Sequence, residues 1–195
     1  MAAEMSDDEA EVIAFRDAAA FEAWLEEHVD HRSGVWLKIA KKSSGIPSLT
    51  DDEAVDVGLC FGWVSGLRRS LDQTHYLQKY VPRRPRSRWS QVNVAKVEEL
   101  SAAGRMRPSG QAEVDAAQTD GRWEAAYASQ KHATVPPDLA EALTENPDAA
   151  QAFERRSRTE QYAVIHDLLT CRTTQTRAAH LARAVAALEH ETRRE

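Results

Sequence analysis

Trp63-Val64-Ser65-Gly66-Leu67-Arg68-Arg69-Ser70-Leu71-Asp72-Gln73-Thr74-His75-Tyr76-Leu77-Gln78-Lys79-Tyr80-Val81 decides the fold. Its two halves, Trp63 to Leu71 and Tyr76 to Val81, are rich in aromatic and branched residues. The short polar turn Asp72-Gln73-Thr74 separates them, which is the pattern of a β-hairpin. Val35-Trp36-Leu37-Lys38-Ile39-Ala40-Lys41 alternates apolar and polar side chains, so it reads as a third strand with one face buried, pairing with the hairpin. Pro82 and Pro85 have no amide to give to a ladder, and the sheet is expected to end there. The fold class is therefore α+β: a small antiparallel sheet of about three strands with flanking helices, followed by a helical C-terminal part.

Outward from the hairpin the pattern turns helical. Asp17 is placed to cap a helix carrying Phe21, Trp24, Leu25 and His28 on one face, and Ser33-Gly34 ends it. Thr50-Asp51-Asp52-Glu53 is a capping box opening a helix through Val55, Leu59 and Cys60, stopped by Gly62. Beyond the sheet, Ser90 can cap a helix running to Gly104. Pro108 suits the first turn of the next helix, which stops at Gly121. Pro136-Pro137 and Asn146-Pro147 start two short helices, and Ser157-Arg158-Thr159-Glu160 is a second capping box. The last helix, from about Thr174, carries Leu181, Val185 and Leu188. Residues 1–14 are expected to form a disordered acidic leader, 15–130 the α+β core, and 131–195 a helical part packed on it.

At 195 residues, 42% hydrophobic and 29% charged, the chain has the composition of a globular protein with one good-sized domain or a domain and a helical extension. No apolar run spans a bilayer and no export signal precedes the fold, so a cytoplasmic location is expected. Cys60 and Cys171 are read as two buried thiols rather than a bridge, with a disulfide left open. The net charge of −6 hides an asymmetry: residues 1–30 hold ten acids against Arg16, and residues 79–107 hold eight bases against Glu98 and Glu99. Such a split implies either internal matching of the two halves or a basic patch that meets an outside anion.

That patch centres on Pro82-Arg83-Arg84-Pro85-Arg86-Ser87-Arg88-Trp89-Ser90-Gln91-Val92-Asn93. Guanidinium forks match carboxylate and phosphate oxygens, tryptophan stacks on planar groups, and a helix start at Ser90 favours negative charge. Arg83, Arg84, Arg86, Arg88, Trp89, Ser90 and Asn93 are the candidate site for an anionic ligand or acidic protein. The competing reading buries Trp89 and pairs the arginines with acids such as those at 22–30. Nucleic acid is kept as a second class of partner, through the hairpin and basic loop, although the pI of about 5.7 opposes it. A third reading is a small-molecule enzyme with Trp36, Lys38, Trp63 and Tyr76 lining a pocket. The histidines are dispersed and no Cys-x-x-Cys exists, so no metal and no cofactor is expected. Cys60, set between Leu59 and Phe61, is read as inert core, and a binding role is preferred to catalysis.

The segments 35–41, Leu59-Cys60-Phe61-Gly62-Trp63-Val64-Ser65-Gly66 and 82–93, with Leu100, Gly104-Arg105-Met106, Gly110 and Ser157-Arg158, are similar to the YdeI/OmpD-associated (OmdA-like, bacteriocin-protection) family. The likeness runs from about Phe15 onward. It implies a link to stress or antimicrobial-peptide resistance, supplies no catalytic residues or cofactor, and includes members described as periplasmic. One departure stands out: the family commonly reads Gly-Trp-Ile-Asp where this chain has Gly62-Trp63-Val64-Ser65.

Overall fold

A computed structural model describes residues 10–130, 132–171 and 173–192. The first nine residues of the expected leader lie outside them. The described chain divides into two compact units. The first comprises residues up to Ser87 together with Asn93–Ala125, and the second comprises Arg88–Val92 together with residues from Ala126 onward.

The first unit is built on a four-stranded mixed sheet: β1 (Val12–Ile13), β2 (Val35–Ala40), β3 (Trp63–Ser70) and β4 (His75–Pro82), in the order β1-β2-β4-β3. The β3–β4 hairpin and its antiparallel pairing with β2 are as expected from sequence. The expectation of about three antiparallel strands is corrected by β1, which lies parallel to β2, Val12 opposite Trp36. Two residues are too short a run to show alternation, and they sit within the stretch read as leader. The hairpin closes on Asp72, whose Oδ1 accepts from the amides of Thr74 and His75, both at 2.7 Å, and from the Thr74 hydroxyl at 2.8 Å. Between Ser65 and Arg68 the register slips by one residue, a β-bulge in an exposed edge strand.

Strand alternation divides the side chains between the two faces. Val35, Leu37 and Ile39 stand opposite Tyr80, Gln78 and Tyr76 on one face. Helices α1 (Ala18–His28) and α2 (Asp51–Cys60) cover this face, with the Phe21 ring 5.7 Å from that of Tyr80. Asp17 caps α1 through the Ala20 amide, and the Thr50–Glu53 capping box of α2 is complete. On the opposite face the Arg69 guanidinium lies 4.8 Å over Trp36, and Lys79 Nζ lies 5.6 Å from the same ring.

Helices α3 (Gln91–Ala102) and α4 (Pro108–Thr119) follow. The start of α4 meets the end of α2: the Arg107 amide donates to the Cys60 carbonyl at 3.0 Å. A Cβ on Gly110 would come within 2.1 Å of that carbonyl oxygen, so only glycine allows the two helices this approach.

The second unit holds α5 (Pro137–Glu145), α6 (Pro147–Arg155), α7 (Arg158–Leu169) and α8 (Thr174–Thr192). Its core is Leu139, Ala149, Ala152, Phe153, Ile165, Leu168 and Leu188, with Leu181 and Val185 half-buried against it. The Ser157–Glu160 capping box is present, and prolines open α5 and α6 as the sequence implies. No helix among the described residues is long and apolar enough to cross a membrane. Both thiols are free. Cys60 is buried, whereas Cys171, expected in the interior, is half-exposed.

Candidate functional site

β3 and β4 end together, Trp63 opposite Pro82, and the Arg83 amide carries the ladder one step further to the Gly62 carbonyl at 2.9 Å. The chain then folds into a tight turn. The Ser87 amide donates to the Arg84 carbonyl at 2.9 Å, and the Arg84 amide donates to the Ser87 hydroxyl at 3.0 Å. Arg86 takes the left-handed conformation with φ 67°, which a side-chain-bearing residue rarely adopts. Arg122 fixes the turn from beneath, donating to the Ser87 carbonyl at 2.9 Å while its Nε holds both Asp120 oxygens at 2.8 Å. Those bonds, with the nearby charge of Arg86 adding, keep the Asp120 carboxyl below the ordinary range.

Beside this turn lies a cleft of about 550 Å³. Its walls are the α2–β3 turn with the first residue of β3 (Phe61, Gly62, Trp63), the end of β4 with the turn (Pro82, Arg83, Arg84), the loop after α1 (Val29, Asp30, Arg32) and the first turns of α4 (Ser109, Glu113). The floor is anchored by Trp63, whose indole N–H donates to the Val29 carbonyl at 3.1 Å and whose ring meets Trp24 edge-on at 5.9 Å. At Gly62, φ is +78°, and a Cβ there would come to 3.1 Å from both Glu113 Cγ and the Ser109 carbonyl oxygen. Glycine thus lets α4 press against the cleft floor.

Of the residues singled out by sequence, Arg83, Arg84 and Trp63 come together here. Arg83 is buried, and Arg84 is exposed at the rim. Arg86, in the same turn, is exposed. Arg88 is directed instead to the end of α7, donating to the carbonyls of Leu169 and Cys171. Trp89 is 1% exposed, an interior ring. Ser90 forms a bridge with Tyr127, and Asn93 lies half-buried in the first turn of α3. Trp36, Lys38 and Tyr76 do not line this cleft. Trp36 and Lys38 share one sheet face, and Tyr76 lies on the other, 4.6 Å beneath the Arg68 guanidinium.

The acids at 22–30 do find an arginine, but from outside the loop. Arg107, just before α4, bonds Glu22 and Glu26, each at 3.0 Å. Lys96 is similarly taken by Asp52 at 2.9 Å and Asp56 at 2.6 Å. Among the described residues no ion pair joins Arg32 or Arg84 to a carboxylate, and none joins Asp30 or Glu113 to a base. Arg32, Ser109 and Glu113 escaped the sequence reading because no local cluster marks them, whereas Asp30 belongs to the acids at 22–30 weighed there as neighbours of the basic loop. Only the α4 spacing of Ser109 and Glu113, four apart on one helix face, hints at a shared direction. Burial pushes the Cys60 thiol up from its usual value, which keeps it protonated and unreactive. No group of three or more metal-ligating side chains occurs among the described residues.

The family model described as "Domain of unknown function (DUF8412)" matches residues 13–113, more than half of the chain. The chain belongs to the DUF8412 family. That segment contains β2 to β4, Ile13 of β1 and every wall of the cleft, so the cleft is a feature of the DUF8412 region. A second model, "Bacteriocin-protection, YdeI or OmpD-Associated", matches residues 132–191, helices α5 to α8. The family resembled in sequence is therefore matched. Ser157-Arg158 falls inside its segment, whereas the motifs quoted at 35–41, 59–66 and 82–93 fall in the DUF8412 segment. No curated protein and no solved structure matches the chain.

Proposed function

We propose that this DUF8412 protein is a non-enzymatic binding protein that seats an anionic group in the cleft, against Arg84, Arg32 and Arg83. The observation that carries the reading is the convergence of exposed Arg32 and Arg84 on one cleft, without an ion pair to a carboxylate of the described chain. Within the same 79–107 stretch, Lys96 and Arg107 are matched by acids, and Arg88 by backbone carbonyls. A guanidinium that ends the fold with its donors open to a concave surface is suited to a carboxylate or phosphate oxygen pair. Binding is favoured over nucleophilic turnover because the cysteine beside the cleft, Cys60, is buried and kept neutral. In line with the description borne by the 132–191 match, the cellular role we assign is protection exerted by binding.

Calorimetric titration of the full chain with pyrophosphate, at low and moderate salt, tests the reading. Binding is expected, and the double variant Arg32→Ala/Arg84→Ala should weaken it by about tenfold or more, as loss of charge-assisted bonds requires. Undiminished affinity in that variant would overturn the assignment.

A further inference from the structure

An anion site would be expected to keep carboxylates away, yet this cleft has two. Asp30 stands two residues from Arg32 on the loop after α1, and Glu113 stands one turn beyond Ser109 on α4. Glu113 is half-buried, its Cγ close to Gly62 at the floor, so it cannot be dismissed as a freely solvated surface acid. Neither carboxylate has a basic partner among the described residues. Like charges in a partly dry cleft repel, so a purely anionic ligand such as pyrophosphate, though held by the arginines, gives back part of that gain to the two carboxylates.

A ligand carrying both signs removes the conflict. We propose that the cleft takes a short zwitterionic peptide, its carboxylate on the arginines and its ammonium on Glu113 and Asp30. The proposal rests on the anion-binding reading and adds the ligand's second charge. The size agrees: 550 Å³ lies within the roughly 300–1,000 Å³ of sites that enclose small organic ligands, well above what a bare inorganic ion needs. The wall chemistry agrees too, because planar guanidinium forks fix a carboxylate in orientation while carboxylates accept the hydrogens of an ammonium group. Apolar edges from Val29, Phe61 and Pro82 leave room for the peptide's small side chains between the two charged ends.

The test uses the full chain and four probes, read by calorimetry: trialanine with free ends, its N-acetylated form, its C-amidated form, and free L-alanine. Free-ended trialanine should bind, and blocking either end should weaken it by about tenfold or more. In Glu113→Gln, affinity for free-ended trialanine should fall while affinity for the N-acetylated form rises, since only the former uses the carboxylate. Acetylated peptide bound as tightly as free peptide, or a Glu113→Gln variant that strengthens both, would overturn the zwitterion proposal and leave the anion site standing. L-Alanine bound as tightly as trialanine would overturn the peptide assignment. Failure of every probe, together with pyrophosphate binding indifferent to Arg84→Ala, would remove the anion reading itself. Melting curves confirm that each variant is folded, and the blocked-probe series on the unaltered protein needs no variant.

Discussion

At the scale of single residues, Asp72 shows how one carboxylate sets a hairpin. Its Oδ1 gathers the Thr74 amide, the Thr74 hydroxyl and the His75 amide, and these bonds, the first of them largest, pull its carboxyl from 3.8 down to about 2. A carboxyl whose folded pKa lies below its unfolded value contributes stability above the unfolded value and loses it as pH falls through the folded one. Asp72→Ala should therefore lower the melting temperature at neutral pH, and the gap between variant and parent should close between pH 3.8 and about 2. Parallel melting curves that keep a constant gap down to pH 2 would show that the charge is not what closes the turn. The proposed cleft site draws on residues of another kind: Arg32 and Arg84 form no ion pair among the described residues, and the positive φ of Gly62 lets Glu113 pack against the cleft floor.

At the scale of elements, the approach of α4 to α2 depends on Gly110. A Cβ there would sit 2.1 Å from the Cys60 carbonyl oxygen and 2.8 Å from that of Leu59, both backbone atoms that cannot swing aside. Gly110→Ala should cost about 3 kcal/mol despite alanine's better helix propensity, because overpacking against backbone outweighs it. Urea unfolding checks this, and a neutral or stabilising result would mean that the helices part easily. Most elements were legible for equally local reasons. Thr50 with Glu53 and Ser157 with Glu160 announce their helices three residues ahead, and Pro108, Pro137 and Pro147 occupy first turns where no amide is needed. β1 was not legible, because two residues carry no period and its partner is set by the backbone of β2. The cleft was legible only in part. Arg83 and Arg84 advertise themselves by density of charge, but Arg32 and Glu113 reach the same space from elements far apart in sequence, and no spacing rule joins them.

At the scale of the whole molecule, the charge asymmetry of the sequence resolves into matched and unmatched parts. The acidic first helix is answered by Arg107, which binds Glu22 and Glu26 and lies 5.7 Å over the Phe61 ring. Asp52 and Asp56 are answered by Lys96. Both matches hold charges that are partly exposed, so each is worth about 1 kcal/mol or less, and neither points into the cleft. Arg32 and Arg84 make no such contribution to the fold. Stability and binding should therefore separate by mutation. Arg107→Ala should lower stability by about 1 kcal/mol, since it leaves two neighbouring carboxylates unanswered, with pyrophosphate affinity close to the parent's. Arg32→Ala/Arg84→Ala should do the reverse, melting as the parent does while losing affinity. Raising salt should erode the binding of the parent faster than it erodes its melting temperature, because the rim guanidiniums are screened and the buried cores are not. Urea curves and titrations on the same three proteins decide the matter. Should Arg107→Ala lose the ligand and keep its stability, the division between structural and ligand-facing charge would be drawn in the wrong place.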